Sequence, residues 1–225
     1  MPGIDYSVRR SDRARRVRVT VDQARGVEVV LPARAFRGGH EAVEREAAAA
    51  VAELRPWIER RLADQRRTEA AIAARGDTVP LLGEELALVA QAGRTRVSRR
   101  GESLLVPAGP EQRDALERWY RRLARSEVAD RLDDACAQAG STYTRLTIRG
   151  QRTRWASCSR SGAMSFNWRL LLAPAPVLDY VVWHEVCHLR VMDHSTRFWS
   201  LLARYCPDYP EHQRWLRRHG ATLVL

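Results

Sequence analysis

Residues 6 to 32 alternate polar and apolar side chains, as in VRVTV (17 to 21) and VEVVLP (27 to 32), on either side of DQARG. That alternation around a turn-like break predicts a β-hairpin. From Gly39 to about Ala74 the chain is rich in good helix formers, with Pro56 inside the run, so a helix kinked or divided at the proline is expected. Residues 79 to 107 return to short strand patterns separated by glycine turns. AGP, 108 to 110, is the best candidate boundary, giving an N-terminal hairpin, helix and short-strand region over 1 to 110 and a second domain over 111 to 225.

In that second domain the spacing predicts a long amphipathic helix over 111 to 139, with Leu116, Trp119, Tyr120 and Leu123 on one face and Gly140 as its stop. Two strands follow, 143 to 150 and 163 to 172, separated by the polar turn SCSRSG. Pro174 and Pro176 sit where helices begin, and a helix over 177 to about 191 completes the order of elements. The pattern is that of an α+β fold.

That last helix carries VVWHEVCHLRVMDH, 181 to 194, with three of the chain's six histidines. Positions four apart share a helix face, so His184 and His188 can direct imidazole nitrogens at one ion. Glu185, turned about 100° from His184 by helix geometry, can reach a water bound to that ion rather than the ion itself. A catalytic zinc takes three protein ligands and an open position whose water becomes nucleophilic near neutral pH. A chance HExxH is expected roughly 0.01 times in a chain of this composition. The helix is apolar nearly all round, so the three polar residues need partners, and a metal satisfies them together.

His194, six residues past His188, requires the chain to turn after about Arg190 and bring it back under the ion; it is the preferred third ligand, with Glu211 as the rival. Asp193 suits the turn or a histidine N–H, and Ser195 can cap a helix that buries Phe198 and Trp199. Cys187 reads as a packed core thiol. Tyr205, His212, Arg197 and Asn167 are the candidates for stabilising an oxyanion.

Composition adds little beyond this. All 38 basic residues are arginine, and the net charge of +11 divides as +5 over residues 1 to 110 and +6 over the remainder. An arginine-only set beside abundant alanine reflects coding bias as readily as function. RRSDRARRVR, 9 to 18, is the one local cluster; it reads as a solvated strand face or as a patch for phosphate or a partner. The four cysteines form no CxxC pair and are expected as reduced thiols. With no leader-like or membrane-spanning stretch, the expectation is a cytoplasmic protein with no membrane association.

RWASCS (154 to 159), SFNWRLLLAP (165 to 174), DYVVWHEVCHL (179 to 189) and DHSTRFW (193 to 199) closely resemble the YgjP-like metallopeptidase family, a metal-dependent hydrolase group related to the SprT and WLM zincins. With the N-terminal hairpin and WIERRL (57 to 62), the resemblance covers most of the chain. It implies a zincin-like catalytic domain in which His184, His188 and His194 match the metal positions and Glu185 the general base. Ala156 stands where the family usually has glycine. Val191 replaces the glycine of metzincins, and no methionine follows Met192 to make their Met-turn, which argues against that group. In zincins a peptide lies along an edge strand above the active helix, expected here within Ser165 to Leu172.

The leading expectation is a zinc-dependent hydrolase of amide bonds, a metallopeptidase with a protein or peptide substrate, with nucleic-acid association possible through the arginine-rich surface. The alternative, from a different class, is a nucleic-acid- or protein-binding module with a structural zinc closed by a fourth ligand.

Overall fold

A computed structural model of the chain describes residues 3–22, 25–33, 39–151 and 154–225. It forms two compact units, Met1–Ala71 and Ile72–Leu225. Among the described residues no helix is long and apolar enough to cross a membrane.

In the first unit, β2 (Arg18–Asp22) and β3 (Gly26–Pro32) form the antiparallel hairpin read from the sequence. Gln23 and Ala24, at its turn, lie outside the described residues. The sheet has a third strand that the hairpin reading lacked: β1 (Tyr6–Ser11) pairs parallel to β3, so β3 is central. The arginine cluster therefore spans the end of β1, its connection and the start of β2. Arg9 pairs with Glu28 across the sheet at 3.0 Å. β3 buries Val27, Val29 and Leu31 against Val43, Ala47 and Val51, one stripe of α1 (His40–Glu53). The divided helix appears as expected, because α2 (Arg55–Arg75) restarts after Leu54 with Pro56 in its first turn, where a missing N–H costs nothing.

The second unit begins with a four-stranded sheet ordered β4-β5-β7-β6, from β4 (Thr78–Leu81), β5 (Glu84–Gln91), β6 (Ser98–Arg100) and β7 (Ser103–Pro107). Ala108–Pro110 is the turn from β7 into α3 (Gln112–Ala139). Leu104 and Val106 before that turn share one core with Leu116, Tyr120, Val128 and Leu132 after it. The predicted stripe holds, with Leu116 and Tyr120 buried and Trp119 and Leu123 packed at its margin. Gly140 ends the helix at φ 57°, a left-handed conformation that glycine adopts without steric cost.

The following segment differs from the sequence reading in two places. The first two residues of the expected polar turn, Ser157 and Cys158, belong to a strand, β9 (Ala156–Cys158), which pairs antiparallel to β10 (Ala163–Asn167), and the turn is the shorter Ser159–Gly162. β10 also pairs parallel to β8 (Arg145–Arg149), giving the order β8-β10-β9. The second strand stops at Asn167 instead of running to Leu172. The Asn167 side chain accepts the Arg169 N–H at 3.2 Å and starts a 3-10 turn over Trp168–Leu172, which buries four of its five side chains. Apolar runs of this length bury equally well as strand or as tight helix, so periodicity alone does not separate them.

α4 (Ala175–His188) lies in the core, and two sets of polar contacts fix its position. Arg131 of α3 donates to Asp179 at 2.8 Å and to Glu127 at 2.5 Å, tying α3 to α4. Leu82, in the two-residue turn between β4 and β5, donates to the Leu171 carbonyl at 2.8 Å and accepts from Ala175 N–H at 3.2 Å. Leu82 has φ 51°, unusual for a branched side chain, and these two bonds hold it there. α5 (Thr196–Tyr205) and α6 (Tyr209–His219) close the unit.

Tyr120 is fully buried and its hydroxyl donates to the Pro80 carbonyl at 2.7 Å, joining α3 to β4. Tyr120→Phe leaves that carbonyl without its donor and is expected to cost about 1–3 kcal/mol. Chemical denaturation of the two proteins measures it, and an unchanged midpoint would mean that the bond contributes nothing.

Candidate metal centre

His184 and His188 stand one turn apart on α4, their ring centroids 4.9 Å apart and nearly perpendicular. The Nε2 atoms are 3.2 Å from each other. Past Leu189 the helix ends, and the turn returns His194 so that its Nε2 lies 3.0 Å from that of His184. All three rings offer a ligand atom within 4.8 Å of the others. His188 is buried, His184 partly buried and His194 exposed.

The same turn sets the tautomer of one ring. His188 Nδ1 lies 3.0 Å from the Val191 carbonyl, an acceptor, so Nδ1 carries the proton and Nε2 presents a lone pair. Burial, and then the proximity of His188 and His194, depresses the His184 pKa to about 3. Burial likewise lowers that of His188. His184 and His188 are thus held neutral, the form that ligates metals. Nitrogens on a tetrahedral zinc, each about 2.0–2.1 Å from the ion, lie roughly 3.3 Å apart. The observed separations of 3.2 and 3.0 Å are close to that spacing, so the donor set fits a small divalent cation.

Glu185, the residue after His184, is only 5% exposed. Burial raises its pKa to about 8, opposed by a hydrogen bond from the Cys158 N–H on β9. Its Oε2 has no partner among the described residues, and neither does Nδ1 of His184. The buried Oε2 of Glu185 is thus a polar atom that a bound group or water beside the cluster would satisfy.

The other sequence candidates lie as follows. Glu211 is exposed in the first turn of α6 and is not in the cluster. Cys187 is buried in the core and also outside the cluster; all four cysteines are free thiols. Asp193 accepts the Ser195 N–H at 3.2 Å and so serves the turn, while Ser195 makes no side-chain cap to α5. Of the oxyanion candidates, Asn167 is committed to the Gln151 and Arg154 carbonyls and the Arg169 N–H. Tyr205 stacks flat on Trp183 at 4.5 Å, and Arg197 is exposed on α5. His212 lies 6.4 Å from Tyr180, whose ring is 6.0 Å from His184. Ser165–Leu172 is not an edge: β10 is the middle strand, and the open edge packed beside α4 is β9.

Sequence reasoning saw Phe198 only as a buried residue of α5. The structure puts its ring 4.9, 4.5 and 4.9 Å from the rings of His184, His188 and His194, as a common apolar floor. The signal available was its position four residues after His194, on the helix that the turn leads into.

An HEVCH helix and a turn-borne third histidine, with a buried carboxyl beside them, form a group that could hold a metal ion. The chain belongs to the YgjP-like metallopeptidase family, whose metallopeptidase-domain model matches residues 15–219. A solved structure, the metallopeptidase zymogen of Pyrococcus abyssi abylysin, is similar at 23% identity with a TM-score of 0.37, over 40% of this chain and 93% of that one. No curated protein matches.

The metal-free protein should respond to pH through these groups. Glu185, raised from 4.5 to about 8, adds stability that is full below about pH 4.5 and lost as pH rises to about 8. His184, lowered from 6.5 to about 3, adds stability that is full above about pH 6.5 and lost as pH falls to about 3. The two oppose each other between 4.5 and 6.5; from 6.5 to 8 Glu185 acts alone. The thermal midpoint of the metal-free protein is therefore expected to fall across that upper window, and Glu185→Gln to flatten the fall. An equal slope in the variant would show that Glu185 is not its source.

Proposed function

We propose that this metallopeptidase-family chain is a zinc-dependent hydrolase that cleaves peptide amide bonds, with His184, His188 and His194 as ligands and Glu185 as general base. The observation that carries the reading is the convergence of three imidazole Nε2 atoms beside a buried carboxyl that has one oxygen unpaired. When bound, the ion supplies a Lewis acid that polarises the scissile carbonyl and lowers the pKa of water. Divalent metal suits the donor set, and zinc suits three imidazoles in tetrahedral spacing.

The chain's own groups then have separate tasks. Glu185 must be ionised to accept a proton, and a pKa of about 8 in the metal-free site means that it needs a cation nearby to be so at neutral pH. The Cys158 N–H orients the carboxyl, leaving Oε2 free to take the proton of the attacking water and deliver it to the leaving amine. The Val191 carbonyl keeps the His188 lone pair pointed inward. The open edge of β9 offers main-chain groups to an extended peptide, which makes proteins or peptides the substrate class. A structural zinc needs four protein ligands, whereas the cluster among the described residues has three.

Purified protein should carry about one zinc per chain under reducing conditions, and His188→Ala should carry little. Glu185→Gln should keep the metal while peptide hydrolysis falls by about 10²-fold or more. Chelation should abolish hydrolysis and added zinc restore it. Absence of stoichiometric metal in the wild type, or full activity in Glu185→Gln, would overturn the assignment.

A further inference from the structure

The three histidines are not held alike. His184 and His188 are fixed by the helix, and His188 also by its bond to Val191. His194 comes from a turn, is exposed, and among the described residues its one hydrogen-bond contact is through Nε2, the atom it offers to the cluster. A ligating histidine is ordinarily oriented by an acceptor at its other ring nitrogen. Here the ring has neighbouring rings instead. Trp199 lies 5.6 Å away and tilted by 32°, and Trp199 in turn stacks on Tyr209 at 5.4 Å and 20°. Trp199 sits on α5 and Tyr209 begins α6, so the row of rings joins the loose ligand to two packed helices.

We infer that Trp199, backed by Tyr209, is a positioning residue for the third ligand: it fixes the orientation of the His194 ring and thereby sets metal affinity. The inference rests on the metal-centre reading above. Its chemical basis is the planar face of the indole, which restricts the imidazole to a tilted stack without removing the lone pair needed for the ion. Trp199 also lies 6.1 Å from His184, but edge-on at 64°, so its tilted face is turned to His194, whereas Phe198, fully buried, touches all three rings and stacks on His188.

Zinc affinity, measured by competition with a chromogenic chelator, tests this in four proteins: wild type, Trp199→Leu, His194→Ala and the double variant. Trp199→Leu should weaken binding about tenfold, and Trp199→Phe, which keeps a stacking ring, should recover most of it. In the His194→Ala background Trp199→Leu should cause no further loss. An equal loss in both backgrounds, or none in either, would overturn the assignment, since a purely structural residue does not depend on His194. If Trp199→Leu fails to fold by circular dichroism, Tyr209→Leu replaces it in the same two backgrounds, with a smaller loss expected and the same dependence on His194. Equal affinity of wild type and His194→Ala would instead remove the three-histidine reading itself, and the role of Trp199 with it.

Discussion

The gathering of three imidazoles and a carboxyl at one end of a helix in the apolar core is the constraint on which the second unit depends. Taken singly, His188 and Glu185, which are buried, and His184, which is partly buried, lose hydration without recompense. Together with His194 they make a polar island whose ring nitrogens face one another, an arrangement that could hold a cation. The surrounding structure is rigid to match. Arg131 clamps α4 to α3, Leu82 takes a strained conformation to hold the start of α4, and Phe198 fills the space beneath the rings.

What could be read from the sequence follows from which forces act locally. The two α4 histidines and Glu185 are fixed relative to one another by helix geometry, so HEVCH alone specifies them. The stripe of α3 and the division of the helix at Leu54 are likewise local, the first set by spacing and the second by the ring of Pro56. The stretch from 154 to 172 was less legible, because its structure is decided by pairing partners distant in sequence. Ser157 and Cys158 looked like the start of a turn by composition but complete a sheet edge as part of β9. The apolar run after Asn167 looked like more strand, until a single side-chain hydrogen bond turned it into a 3-10 segment. The third strand of the first unit was missed for the same reason, since its parallel partner lies about twenty residues on.

The candidate site shows the same division. His194 could be named by spacing and family resemblance, and the turn that returns it is local too, since the helix ends at Leu189 and Asp193 accepts the Ser195 N–H. The aromatic surroundings could not be read at all. Phe198 and Trp199 are adjacent residues on an amphipathic helix, and nothing in their spacing separates an apolar floor under three rings from a ring that tilts its face to His194 and its edge to His184.

The Leu82 turn has an implication for motion. Its amide and carbonyl bind the 3-10 segment and the first residue of α4 at once, so the four-stranded sheet cannot peel away without freeing the start of the helix that bears His184 and His188. The sheet contributes no side chain to the histidine cluster, yet its opening and that of α4 belong to one cooperative event. Slow amide exchange would then extend from β4 into α4 as a single block, and the two histidines of α4 would be held in place by strands a hundred residues upstream.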